Sequence, residues 1–208
     1  MKKILSSIAL LSLLGACSGS KSESVDSDSI REEAVMEAVE AVVNSENVSY
    51  ITADSIGPLV IGTHVNTLPA AIPGLYDHKE MGATADAVTT TFSNENGQQF
   101  IAYDFGEGNI DVMIVLGNDV KVNAPRGAFG LGDSFTKVLE LPGVEPEWTV
   151  LDDDGSWYWK WEGLWFAPSP DNLPENLARR LYNSAQAPTY KDFPESVTVG
   201  YLATGLPF

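Results

Sequence analysis

Between residues 87 and 167 apolar and polar residues tend to alternate with a period of two, the spacing of half-buried strands. Strands are expected at Ala87–Ser93, Gln98–Phe105 and Ile110–Leu116, then at Glu147–Leu151, Ser156–Trp161 and Leu164–Ala167. The runs are separated by Asn94-Glu95-Asn96-Gly97, Gly106-Glu107-Gly108-Asn109, Asp152-Asp153-Asp154-Gly155 and Glu162-Gly163. Glycine and asparagine there supply the positive φ angles that tight hairpins need. Shorter strands are expected at Val48–Ala53 and Val120–Val122, and a last one at Ser196–Ala203. The alternation also sorts side chains by face. Ile110, Val112, Ile114 and Leu116 share one, while Trp157, Trp159 and Trp161 lie opposite Tyr158 and Lys160.

A different pattern precedes each group of strands. Gly57 and Gly62 are followed by apolar Val65, Leu68 and Ile72; Gly127 and Gly132 are followed by Phe135, Val138 and Leu141. Each stretch reads as a turn leading into a short helix, the first placed at Thr67–Ala71 with Pro69 early in it. A longer helix is expected over about Pro174–Asn183, carrying Leu177, Ala178 and Leu181. The expected fold is therefore α+β. One sheet-based domain over residues 48–208 is built from two turn-helix plus antiparallel-meander repeats, about 56–122 and 126–208.

The N-terminus follows other rules. Lys2 and Lys3 precede an apolar run, Ile4–Leu14, that ends in Leu14-Gly15-Ala16-Cys17. A membrane span needs roughly 20 residues, so this shorter run reads as the core of a signal peptide. The segment resembles a bacterial lipoprotein signal with its lipobox. The resemblance implies cleavage after Ala16, acyl chains on Cys17 and, with Ser18 rather than aspartate following, anchoring at the outer membrane. Cys17 is the sole cysteine, so an internal disulfide or a thiolate redox pair is excluded. Residues 17–29, rich in serine and acid, read as a flexible tether. Residues 30–45 read as an amphipathic helix, capped by Ser29 and Glu32, with Val35, Ala38, Val39, Val42 and Val43 on one stripe.

Cleavage would remove Lys2 and Lys3, two of the 12 basic residues, and no acids. Ten basic then stand against 29 acidic residues, a net charge of −19. A field of that sign repels nucleic acid and anionic lipid surfaces, so no nucleic-acid partner is expected. It suits a cationic partner, a divalent cation or solubility alone.

Candidate chemistry is sparse, and the expected protein is not an enzyme. His64 and His78 are the only histidines; a small envelope hydrolase would have to use one of them with an activated nucleophile. Ser134, in Gly-Asp-Ser, falls where a structural turn explains it. Asp152, Asp153 and Asp154 offer hard oxygen ligands for calcium, but their spacing departs from an Asp-x-Asp-x-Asp-Gly loop. Apart from covalent lipid at Cys17 and this weak calcium candidate, no cofactor is expected. Trp157, Trp159, Trp161 and Trp165 are the binding candidates. They either cover the core or form an aromatic face for a protein or an envelope glycan.

The stretch Ile56-Gly57-Pro58…Gly62…Leu68-Pro69…Gly74-Leu75-Tyr76-Asp77 is similar to a motif of uncharacterised bacterial lipoproteins, a family that supplies no catalytic residues to carry over. The order of elements is similar in outline to the beta-lactamase-inhibitor-like fold, which implies a single sheet whose open face meets a partner protein. The expected partners are thus the membrane, through the lipid anchor, and an envelope protein or glycan.

Overall fold

The computed structural model describes residues 49–151, 154–183 and 185–206. The expected signal peptide, lipidated Cys17, tether and amphipathic helix lie outside the described residues, as do Asp152, Asp153 and the side chain of Asp154. In chain order the strands are β1 (Ser49–Ile51), β2 (Ser55–Ile56), β3 (Leu59–Val60), β4 (His78–Ala83), β5 (Val88–Asn94), β6 (Gly97–Asp104), β7 (Val112–Val115), β8 (Val120–Val122), β9 (Glu145–Leu151), β10 (Asp154–Trp161), β11 (Leu164–Pro168) and β12 (Val199–Ala203). The α-helices are α1 (Thr136–Leu139) and α2 (Glu175–Leu181). The molecule is mainly sheet, with helix in single turns and short pieces.

Eight strands make one antiparallel sheet in the order β4-β5-β6-β7-β12-β11-β10-β9. Each half is a meander, and the last strand of each half lies at the seam, where Ile114 faces Ala203. Among the described residues, the sheet bonds on both sides of every inner strand leave β4 and β9 as edges. A second sheet, β3-β2-β1-β8, has β1 parallel to β8, with Ile51 beside Val122.

The core lies on one face of the large sheet. Phe92 and Phe100 stack at 4.4 Å, and Tyr76 meets Phe92 edge-on at 4.7 Å. In the other half Phe135 and Phe193 meet the ring of Trp159 at 5.1 and 5.4 Å. Phe129 packs on Phe166 at 5.9 Å, and Ile51, Ile56, Val120 and Val122 join the same cluster. Burying aromatic side chains of this size supplies most of the driving force, at about 25 cal/mol per Å² of apolar surface.

The turn-helix segments close onto the sheet with matching backbone bonds. In the first, the Gly62 N–H donates to Ile110 O, the Ile110 N–H to Thr63 O and the Val65 N–H to Gly108 O. Seventy residues on, the Gly132 N–H donates to Val199 O, the Val199 N–H to Asp133 O and the Phe135 N–H to Val197 O. Gly62 and Gly132 share positive φ angles of 85° and 78°, which a side chain would strain.

Four sequence expectations change. The first helix is a single 3-10 turn at Val65–Thr67, not at Thr67–Ala71. Leu68 is extended at ψ 132°, as a residue before proline prefers, and Pro69 ends the turn. Strand β4 has no counterpart in the sequence reading, because as an exposed edge it lacks a buried alternation. Strand β8 leaves the meander and pairs with β1 instead. Finally, α1 is only four residues long, so the expected α+β balance tilts strongly toward β.

Candidate functional site

The tryptophan stripe, readable from the sequence either as core cover or as an open face, packs into the core at Trp159 and Trp161 and is half-buried at Trp157. Trp159 and Trp161 are 2% and 7% exposed. The Trp161 indole donates to the Pro142 carbonyl at 3.2 Å and the half-buried Trp157 indole to the Asn183 carbonyl at 2.9 Å. These bonds satisfy the indole N–H groups, so burial leaves neither without a partner. The physical reason is direct. The face they occupy is the one onto which α1, α2 and the 3-10 turn at Tyr190–Asp192 fold.

Trp165 points the other way, and with it the opposite face comes into view. Strand register aligns one residue from each of the eight strands across that face: Glu80, Thr91, Ile101, Ile114, Ala203, Trp165, Lys160 and Glu145. At about 4.8 Å between strands the row is roughly 34 Å long. Its middle is apolar and its two ends are acidic. Tyr158 and Tyr201 flank the middle, 5.6 Å apart and edge to face, and Tyr103 stacks with Phe105 at 6.2 Å. Lys160 Nζ sits 4.8 Å over the Trp165 ring and 3.9 Å from Glu147, which shares this face. Trp165 keeps 9% of its surface exposed, beneath Lys160 and beside Tyr158.

The electrostatics of the face follow from its half-burial. Desolvation holds the Tyr158 and Tyr201 hydroxyls above the ordinary phenol range, and for Tyr201 the neighbouring Tyr158 and Tyr103 add to the effect. The Tyr201 hydroxyl donates to Gly205 O at 2.9 Å. These rings are therefore neutral, fixed and amphipathic, the side-chain type that concentrates at protein interfaces.

The hydrolase residues stand apart. His64 is exposed and accepts the Asn66 N–H at its Nδ1, capping the first 3-10 turn; His78 is exposed on edge strand β4. Among the described hydrogen bonds neither imidazole ring meets a serine or threonine hydroxyl; the Thr67 hydroxyl donates to the His64 backbone carbonyl at 2.7 Å. Ser134 Oγ instead lies 2.9 Å from Thr136 Oγ1 and donates to the Glu195 carbonyl, pinning α1 to the loop before β12. Among the described residues no group of three or more His, Cys, Asp or Glu side chains is placed to hold a metal, and no helix is long and apolar enough to cross a membrane. A groove of about 410 Å³ on the helical side is lined by Ala124, Arg126, Phe129, Lys137 and Glu140. Its charges are spent internally, Arg126 on Glu140 and Lys137 on Asp133.

Sequence reasoning missed Tyr103, Tyr201, Glu80, Glu145 and Glu147 as members of one surface. One signal was present: Lys160 and Tyr158 alternate with the tryptophans, and a lysine marks the face that meets water.

No family model matches the chain, and no curated protein matches it. Among solved structures the chain is similar to the uncharacterized protein yfeY from Escherichia coli, with 15% identity and a TM-score of 0.44, the match covering 74% of this chain and 97% of that one. Likeness at that level carries no functional argument.

Proposed function

We propose that this is a non-enzymatic, lipid-anchored cell-envelope protein that binds another protein through the face of its large sheet that none of the described helices covers. The observation that carries the reading is the row from Glu80 to Glu145, whose apolar centre is ringed by tyrosines and bounded by charge. That is the anatomy of a protein interface, with aromatic anchors inside a polar rim. A glycan fits less well, because stacking on a sugar needs an open ring and Trp165 is nearly covered. The anchor reading rests on the lipobox ending in Cys17, and Ser18 favours the outer membrane. The recurring Gly62 and Gly132 hydrogen bonds support reading the domain as two copies of one unit, joined where β7 meets β12.

The test is affinity capture of the anchored protein from its own envelope, run in parallel with an Ile114→Glu variant whose melting temperature shows that it folds. The reading expects a protein retained by the native chain and lost from the variant. Equal retention by both would remove the face from the account.

A further inference from the structure

The charge at the ends of the row narrows the partner. Glu80 closes one end on β4, and Glu145 and Glu147 close the other on β9, all three exposed. Among the described residues the face sets one ammonium against these three carboxylates, Lys160, which already lies 3.9 Å from Glu147 and over Trp165. The whole mature chain would carry ten basic and 29 acidic residues, so no distant positive field offsets the local one. Half-buried Ile101 and Ile114 form the accessible apolar middle, with Ala203 and Trp165 covered beside them, and the acidic ends lie beyond it on both sides.

Resting on the reading of this face as a protein-binding surface, we infer that its partner is a cationic protein. That partner presents an aliphatic or aromatic knob to the centre and lysine or arginine side chains to Glu80 on one side and to Glu145 and Glu147 on the other. Complementary charge at a rim speeds encounter and fixes register, while the desolvated centre sets the lifetime of the complex. The other occupants fail on the same charges. A second copy of this chain would bring three carboxylates against three. The apolar stripe of residues 30–45 is flanked by Glu32, Glu33, Glu37 and Glu40, again of like sign. An anionic lipid surface is repelled for the same reason.

The experiment selects a random-peptide phage library on the intact mature protein at low and at physiological salt, with counter-selection on the folded Ile114→Glu variant. Peptides that depend on the face should be enriched in lysine and arginine alongside leucine, phenylalanine or tryptophan. Their binding should weaken about tenfold or more against Glu145→Lys/Glu147→Lys, a double change at exposed positions that leaves the melting temperature in place. Enriched peptides that need Ile114 yet are neutral or acidic would overturn the cationic partner and leave the binding face standing. If no peptide depends on Ile114, the binding face and the inference fall together.

Discussion

Ile114 on β7 stands directly across from Ala203 on β12, and at this pair two four-stranded meanders become one sheet. Next to it the Thr204 hydroxyl accepts the Met113 N–H at 2.8 Å, and the Thr204 N–H donates to Met113 O at 3.0 Å. On the β12 side the seam is buried, with Ala203 fully covered and Thr204 nearly so, while Ile114 is half-buried. Replacing Thr204 by valine keeps the shape and strands the Met113 amide. The expected cost is about 1–3 kcal/mol, the desolvation of an unsatisfied buried group, read as a lower urea midpoint at an unchanged slope.

Trp159 sits among Phe135, Phe193 and the sheet, as a core residue and not a binding one. Trp159→Ala should cost about 3–5 kcal/mol and leave partner binding unchanged in whatever fraction remains folded. Acrylamide should likewise quench the native fluorescence far less than that of the unfolded chain, because Trp159, Trp161 and Trp165 are covered.

The β10–β11 hairpin turns through Glu162 and Gly163, at φ 47° and 83°. Two consecutive positive φ angles make the turn type that favours Asn-Gly, and Glu162 bears the strain of a side chain in that region. Glu162→Asn should stabilise the protein by about 1 kcal/mol, visible as a raised melting temperature. Gly163→Ala should destabilise it, since the added Cβ would lie 2.6 Å from Ala53 Cβ.

Arg180 on α2 grips Asp192, whose carboxylate also accepts the Thr189 hydroxyl and N–H. The guanidinium, followed by the Thr189 bonds, holds Asp192 well below the usual carboxylate range. Asp104 is lowered by the Gly106, Gly108 and Glu107 amides. At Asp133 burial pushes up, but the Gly130 amide and Lys137 together bring it down. A depressed carboxyl contributes stability that is present above its unfolded value, about 3.9, and is lost as pH falls toward the folded one. Stability should therefore decline below about pH 4, and Asp192→Asn should make that decline shallower while lowering stability at neutral pH. At the alkaline end burial pushes Tyr76 up to about 12. Its contribution is present below the ordinary phenol value, near 10, and is lost as pH rises toward the folded one. Urea titrations from pH 2 to 11 read both limbs.

Most strands were legible because a sheet with one buried face imposes period two on its sequence. The exceptions have physical causes. His78–Ala83 forms an edge, where neither face is deeply covered and nothing forces alternation. Val120–Val122 pairs in parallel with Ser49–Ile51, some seventy residues away, a contact that no local pattern records. The candidate face was half legible. Alternation separated Trp159 from Tyr158 and Lys160, but which side the helices would cover depends on the contacts of Phe135 and Phe193 with Trp159. The row from Glu80 to Glu145 is assembled by register across eight strands, and register is a property of the sheet.

Photo-crosslinking in the native envelope addresses the central claim most directly. A benzophenone amino acid is placed in turn at Ile114 and Tyr158 on the face that none of the described helices covers, and at Arg126 and Tyr190, both half exposed or more and both beside Glu140, on the helical side. A discrete protein adduct is expected from Ile114 and Tyr158 and none of the same mass from Arg126 and Tyr190. Adducts from the helical positions alone, or equally from all four, would contradict it.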